Sequence, residues 1–349
     1  IIPYLFEETK RQYPKAFNAD GEIWETVKQS NNNYIYDAVK KGVDLTLPEE
    51  IEIGIDTSNL NLIERRKEWN KPAPIEYALP TEIWREVVDR RSRYNETKQK
   101  ISNGEIKDIN DFITYNLNIR QFAQDVVENT NDPDFLRFFY KSLCNVTIID
   151  PTCGSGAFLF AALNILEPLY ESCIQRMVNF IAESDKGKFK FFEEVISQVK
   201  SPEHPNLKYF IYKSIILRNL YGVDIMNEAV EIAKLRLFLK LVATVEADFR
   251  KSNLGLEPLP DIDFNIRAGN TLVGFATENE LKRGLSYTLD GAMAKLIIDE
   301  KCDIVAKAFA RYKEIQLTYG DDYTQFKKSK DELNLRLKEL NHELNVLLH

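Results

Sequence analysis

The chain has 349 residues, 44% hydrophobic and 11% aromatic, which is ample apolar material for folded cores and excludes a disordered tail. A formal net charge of -8 excludes a protein that grips nucleic acid with its whole surface, so any groove for a polyanion has to be local or lie in other segments. No uninterrupted run of 18 apolar residues and no signal peptide occurs, and the expectation is a soluble cytoplasmic chain with no membrane partner.

Residues 1 to about 140 read as irregular and mostly helical. They are punctuated by Pro3, Pro14, Pro48, Pro72, Pro74 and Pro80, with amphipathic stretches from Ile23 to Val43 and from Pro80 to Val88. Between Arg85 and Lys107 seven basic residues stand against four acidic ones, and Arg90, Arg91 and Arg93 crowd together. A solvated helix face explains such a run; a patch that touches phosphates is the alternative. Downstream, a helix from about Ile119 to Val127 delivers the chain to its second region.

That region, roughly 141 to 277, has the pattern of a parallel α/β sheet. Val146 to Ile149 is short, β-branched and apolar, as a strand buried on both faces should be, and Asp150 stands at its carboxyl end, where open sheets bind ligands. The next residues, Pro151-Thr152-Cys153-Gly154-Ser155-Gly156, form a glycine turn into a helix start with unpaired N–H groups. A dinucleotide fingerprint needs a small residue three beyond the second glycine, and Leu159 stands there. A buried acid before the turn also repels a pyrophosphate and favours a cationic ligand. S-adenosylmethionine, with its ammonium and sulfonium, has that character.

The helix after the turn should run from Gly156 to about Phe180, with Pro168 kinking or interrupting it, and Phe158 packing in the core. Residues 183 to 206 form a charged insertion. Lys208 to Asn219 is helical by its apolar spacing, and a second strand, Leu220 to Ile225, carries Asp224 near its end, where an acid can accept both ribose hydroxyls. Capping of the helix that starts near Asn227 is the other role open to Asp224. That helix extends to Val245. A third strand, Phe264 to Ala268, precedes Asn270, whose amide can donate to and accept from an adenine edge. Right-handed crossovers give a half-sheet of strand order 3-2-1, with the outer edge of the first strand unpaired and needing cover.

Region three, about 278 to 349, has two helical stretches, Asp290 to Gln316 and Gln325 to Leu348, parted by Tyr319-Gly320-Asp321-Asp322. Leu333, Leu337, Leu340, Leu344 and Leu347 alternate spacings of four and three, a heptad seam that makes the pair an antiparallel hairpin. Cys144, Cys173 and Cys302, with His204, His342 and His349, show no metal-ligand spacing, so no metal is expected. Cys153 could attack a cytosine as a thiolate, but it lies inside the turn with no flanking His, and a small buried filler is its expected role.

Asp150 to Leu159 resembles the first cofactor motif of adenine-N6 DNA methyltransferases. Tyr221-Gly222-Val223-Asp224-Ile225 with Ala229 to Ala233 resembles their second, Ile266 to Leu272 their third, and Ile113-Thr114-Tyr115-Asn116-Leu117-Asn118-Ile119 an upstream segment that closes over the cofactor. The likeness is closest to large methylases of fused restriction-modification proteins and of phage-exclusion systems, and covers most of residues 75 to 349. It implies a Rossmann-like fold with flanking helical regions and S-adenosyl-L-methionine as cofactor. The residues it assigns to that cofactor are Thr114, Asp150, Pro151, Cys153, Gly154, Gly156, Asp224, Ile225 and Asn270. It also implies double-stranded DNA as partner through the intact protein.

These enzymes carry an Asn-Pro-Pro-Tyr-type motif for the flipped adenine, and no such motif occurs here. The expectation is therefore a piece of a longer polypeptide, inactive by itself, with the remaining carboxyl-terminal part as its partner. A methyltransferase for RNA, protein or a small molecule, and a non-catalytic specificity subunit, are the rival readings.

Overall fold

The computed structural model describes residues 1–18, 21–58, 61–185, 187–201, 204–245, 250, 259–273, 277, 279–280, 283, 291–318 and 323–348. They fall into two compact units, Ile1–Phe139 and Tyr140–His349. The expected turn Tyr319 to Asp322 lies outside the described residues, as do Phe275 and His349.

The amino-terminal unit is helical. Helices α1 (Ile2–Gln12), α2 (Glu22–Gln29), α3 (Asp37–Lys40), α4 (Glu49–Glu52), α5 (Leu62–Arg65), α6 (Trp84–Ser102), α7 (Asp111–Thr114) and α8 (Ile119–Asn129) lead into α9 (Pro133–Asn145). Phe122 is the hub of the core: its ring stacks on Phe112 at 4.2 Å and on Phe6 at 5.5 Å between centroids. Helix α8 delivers it by burying Phe122, Ala123, Val126 and Val127 on one face, and Asn118 caps the helix by accepting from the Gln121 N–H at 3.2 Å.

The arginine run is not the uniform solvated face anticipated. Arg90 is 5% exposed. Its guanidinium pairs with Glu82 at 2.9 Å through both Nε and Nη2, and donates to the carbonyls of Val39, Lys41 and Tyr77. Arg91 donates to the Gly42 and Val43 carbonyls. Both side chains tie distant loops to α6, because a planar fork satisfies several carbonyls that water cannot reach. Arg93 alone of the three is exposed and makes no hydrogen bond or ion pair among the described residues, though its charge reaches Glu82.

In the carboxyl-terminal unit, β1 (Ile148–Asp150), β2 (Leu220–Asp224) and β3 (Ile266–Ala268) lie side by side with β2 in the middle, and both pairings are parallel. The register sets Asp150 opposite Gly222, and Asp224 opposite Ala268. Two buried amides hold the amino ends of these strands. Asn219 donates to the Leu143 and Val146 carbonyls at 2.9 and 2.7 Å and accepts from the Tyr170 hydroxyl at 3.0 Å. Asn265 donates to the carbonyls of Ile216, Leu217 and Leu220. Each amide satisfies backbone groups that the ends of helices leave bare.

Between the strands run α10 (Ala157–Ala182), α11 (Lys190–Val199), α12 (Leu207–Arg218) and α13 (Asn227–Val242). Of the two effects expected of Pro168, a kink or an interruption, it does not interrupt: α10 continues through it, with Leu166, Leu169 and Tyr170 buried around it. By length and composition α10 could cross a membrane, but half of its most apolar window is buried inside this unit, as in the core helix of a soluble domain. Helix α12 is buried from Tyr209 to Leu217, on every side. Strand β1 also departs from expectation: Val146 is buried ahead of it, but Ile149 is 63% exposed, and Asp150 is half-buried. Among the described residues β1 pairs only with β2, so no strand adjoins its outer edge.

Helices α14 (Gly291–Thr318) and α15 (Tyr323–Leu348) form an antiparallel pair, joined by Tyr312 against Phe326 near one end and by Lys301 to Glu343 at 2.7 Å near the other. Leu333 is buried, and Leu337, Leu340 and Leu344 are half-buried along the seam. The pair is fastened to the loop before β3: Gln316 and the Asp261 backbone exchange hydrogen bonds of 2.6 and 3.1 Å, and Lys330 bridges Asp261 and Asp263.

Candidate functional site

The carboxyl ends of the three strands converge on the Cys153–Gly156 turn. Backbone bonds pin it: the Cys153 N–H donates to the Val223 carbonyl at 2.9 Å and the Gly269 N–H to the Asp224 carbonyl at 2.9 Å. The Thr271 hydroxyl donates to the Pro151 carbonyl at 3.2 Å, joining the loop after β3 to the loop after β1. Asp150, Pro151, Cys153, Gly154, Gly156, Asp224, Ile225 and Asn270 are thus all carried on this rim or the loops that leave it. Thr114 belongs to the amino-terminal unit, where its hydroxyl donates to the Asn110 carbonyl at 3.1 Å.

Asp224 holds the turn in place. Its Oδ2 accepts the Gly154 N–H at 2.9 Å and its Oδ1 the Met226 N–H at 2.9 Å. The Met226 and then the Gly154 amides hold this carboxyl below its ordinary range. The bond to Met226 is a local turn two residues on, and the carboxylate has lone pairs left for a further ligand. One N–H expected to face a ligand, that of Gly154, is therefore spent on Asp224. Asp150 accepts from the Thr152 N–H at 3.1 Å. Asn270 is exposed, its Oδ1 accepting from the Leu272 N–H at 2.9 Å, and Ile225 is 73% exposed.

The two glycines of the turn do different things. Gly154 is held at φ +49, and a Cβ built on it meets nothing within 4 Å, so open space lies beside the main chain there. Gly156, at φ +80, faces the Cβ of Ala233 at 3.3 Å and lets α10 start close against α13. Cys153 is 4% exposed, and burial, with Asp224 and Asp150 adding to it, pushes its thiol up, as befits a filler and not a nucleophile. Phe158 is 57% exposed, not in the core, because Leu159 and Ala162 take the buried face of α10 and leave position 158 turned away.

Reading the sequence missed two supports. Gly222 in β2 leaves only 3.0 Å between a would-be Cβ and both Cβ and Sγ of Cys153, and a glycine inside a strand is the signal for such a close approach. Arg236 donates to the Ser155 carbonyl and hydroxyl at 2.7 and 3.0 Å while its guanidinium lies over the Phe160 ring.

The two carboxylates and the glycine turn stand at the carboxyl rim of a parallel sheet, the edge at which open α/β sheets bind ligands. Comparison narrows the class: residues 124–273 match the MmeI DNA-methyltransferase domain and residues 218–345 the Eco57I restriction-modification methylase, and both matches support a methylase of the restriction-modification type. It is 33% identical over 202 residues to a putative type II restriction enzyme and methyltransferase of Methanocaldococcus jannaschii, covering 58% of this chain and 14% of that protein. To the Eco57I type II restriction enzyme and methyltransferase of Escherichia coli it is 26% identical over 133 residues, covering 38% of this chain and 11% of that protein. The chain thus spans about one-seventh or less of these relatives' lengths. No solved structure matches.

Proposed function

We propose that this chain carries the cofactor site of an S-adenosylmethionine-dependent DNA methyltransferase, directed to N6 of adenine, in a restriction-modification or phage-defence system. The observation that carries the reading is the open space at Gly154, on a rim where two adjacent parallel strands end in carboxylates. S-adenosylmethionine fits that chemistry and, when bound, supplies a sulfonium-borne methyl group. Asp150 neutralises its ammonium, the free lone pairs of Asp224 accept ribose hydroxyls, and Asn270 reads the adenine edge. Gly154 admits the ligand to the main chain, and buried Cys153 fills the space behind it. Catalysis in such an enzyme rests on holding cofactor and flipped base in line, and this chain supplies the cofactor half.

Two measurements test the reading. Calorimetric titration with S-adenosylhomocysteine should show binding to the wild type and a loss of at least about tenfold in Asp224→Ala, worth about 1.4 kcal/mol. Equal affinity removes Asp224 from the site. Incubation of the 349 residues with labelled cofactor and duplex DNA should transfer no methyl group, since no residue here is assigned to the target base; methylated DNA refutes that assignment.

A further inference from the structure

We propose that a cleft in the amino-terminal unit is a second binding site, taking a phosphate ester. The cleft encloses about 380 Å³, within the range of small-molecule sites and near its lower end. One wall is helix α6, where Arg93, Thr97 and Lys100 follow at spacings of four and three and so share a face. Arg90, one turn earlier on that stripe, points its charge into Glu82 and three carbonyls. The opposite wall is the turn after α7, Thr114-Tyr115-Asn116, with Asn116 held at φ +51. Ile35 and Val39 supply apolar surface.

Most of what remains unspent in this cleft can donate hydrogen bonds. Among the described residues Arg93 makes no hydrogen bond or ion pair, and the Thr97 hydroxyl and Asn116 amide have no partner. Lys100 lies over the Tyr115 ring at 5.3 Å and shares its charge with Glu105 at 3.4 Å, both partly exposed. The acid on the lining, Glu96, is exposed and accepts from Ser92 at 3.0 Å. A free guanidinium beside a hydroxyl and an amide matches the oxygens of a phosphate, and an apolar wall and an aromatic ring accommodate the attached sugar or base. The lining itself carries Arg90, Arg93 and Lys100 against one acid, Glu96, while Glu82 and Glu105 adjoin Arg90 and Lys100. The ester is a DNA backbone phosphodiester or a free nucleotide. The first deepens the methyltransferase reading, on which it rests, and the test below needs no cofactor, so the two can fail separately.

Fluorescence anisotropy of a labelled 20-base-pair duplex, titrated with the full 349-residue chain at rising salt, reads the DNA arm; calorimetry with dAMP reads the nucleotide arm. Arg93→Ala should weaken binding of one probe about tenfold. For duplex it should also lower the slope of log affinity against log salt by about 0.9, the value for one lost phosphate contact. Arg93→Glu should weaken it further, and Lys188→Ala, an exposed cation elsewhere, should change neither probe, with thermal melts confirming that each variant is folded. Arg93-dependent binding of duplex assigns the backbone; Arg93-dependent binding of dAMP alone assigns a free nucleotide. If neither probe binds in an Arg93-dependent way, or if Lys188→Ala reproduces the loss, the proposal is overturned.

Discussion

Replacing Gly154 by alanine separates ligand binding from stability at one atom. At φ +49 an L-residue costs about 1–2 kcal/mol, and the stiffer unfolded chain offsets about 0.4–1 kcal/mol of that. Because the added Cβ meets nothing within 4 Å, no clash is added, and the net loss of stability should be about 1 kcal/mol. The methyl group nevertheless projects into the space assigned to the cofactor, where overfilling costs about 1–3 kcal/mol, a factor of roughly 5 to 150 in affinity. Urea denaturation gives the first number and calorimetry with S-adenosylhomocysteine the second. A folded Gly154→Ala protein that binds with wild-type affinity would show that the open space beside Gly154 is not where the ligand sits. Gly156→Ala is the contrast: its Cβ would press on Ala233 at 3.3 Å, so stability should fall first.

Asn219→Ala leaves the Val146 carbonyl without its side-chain donor and the Leu143 carbonyl and Tyr170 hydroxyl with only each other, and should cost about 1–3 kcal/mol in urea denaturation; a loss below about 0.5 kcal/mol would mean that water replaces the amide. Arg90→Ala leaves Glu82 with only the Leu79 N–H and takes the guanidinium from the loop carbonyls of Val39, Lys41 and Tyr77, and should cost about 3 kcal/mol, with Arg90→Lys restoring little because one ammonium does not span the same acceptors. The Asp224 carboxyl is held below 3.8 in the fold by the Met226 and Gly154 amides, so its contribution is complete above that pH and is lost as pH falls through the depressed value. The urea midpoints of wild type and Asp224→Asn should therefore converge in acid, and a gap that stays constant from pH 7 to pH 3 would contradict the role given to those amides.

The rim was legible because its signals are local. A short apolar run, an acid, and glycines before an apolar helix placed Asp150, Gly154 and Gly156, and the same logic placed Asp224 and Asn270 at the ends of their strands. What escaped depends on residues distant in sequence. Arg90 reads as surface charge until Glu82 and the carbonyls of Val39, Lys41 and Tyr77 close around it, some of them about fifty positions away. Ile149 and Phe158 read as core because they are apolar, yet Ile149 lies on a strand with one described neighbour and Phe158 on the outer side of a helix end. The bond from Asp224 to Gly154 joins positions 70 apart, and nothing in either segment announces it. Gly222 reads as one position of a motif, and its physical reason, the room that Cys153 needs, lies in a segment distant along the chain.

The two carbonyl-gathering asparagines give the sheet unequal ends. Asn219 and Asn265 clamp the foot of the strands inside a dry interior, while the opposite margin is tied by single bonds between exposed or half-exposed loops. Amide protons near the foot should exchange with deuterium only through global opening, and those at the margin through small local excursions. A domain made this way keeps its frame rigid while its mouth is free to adjust.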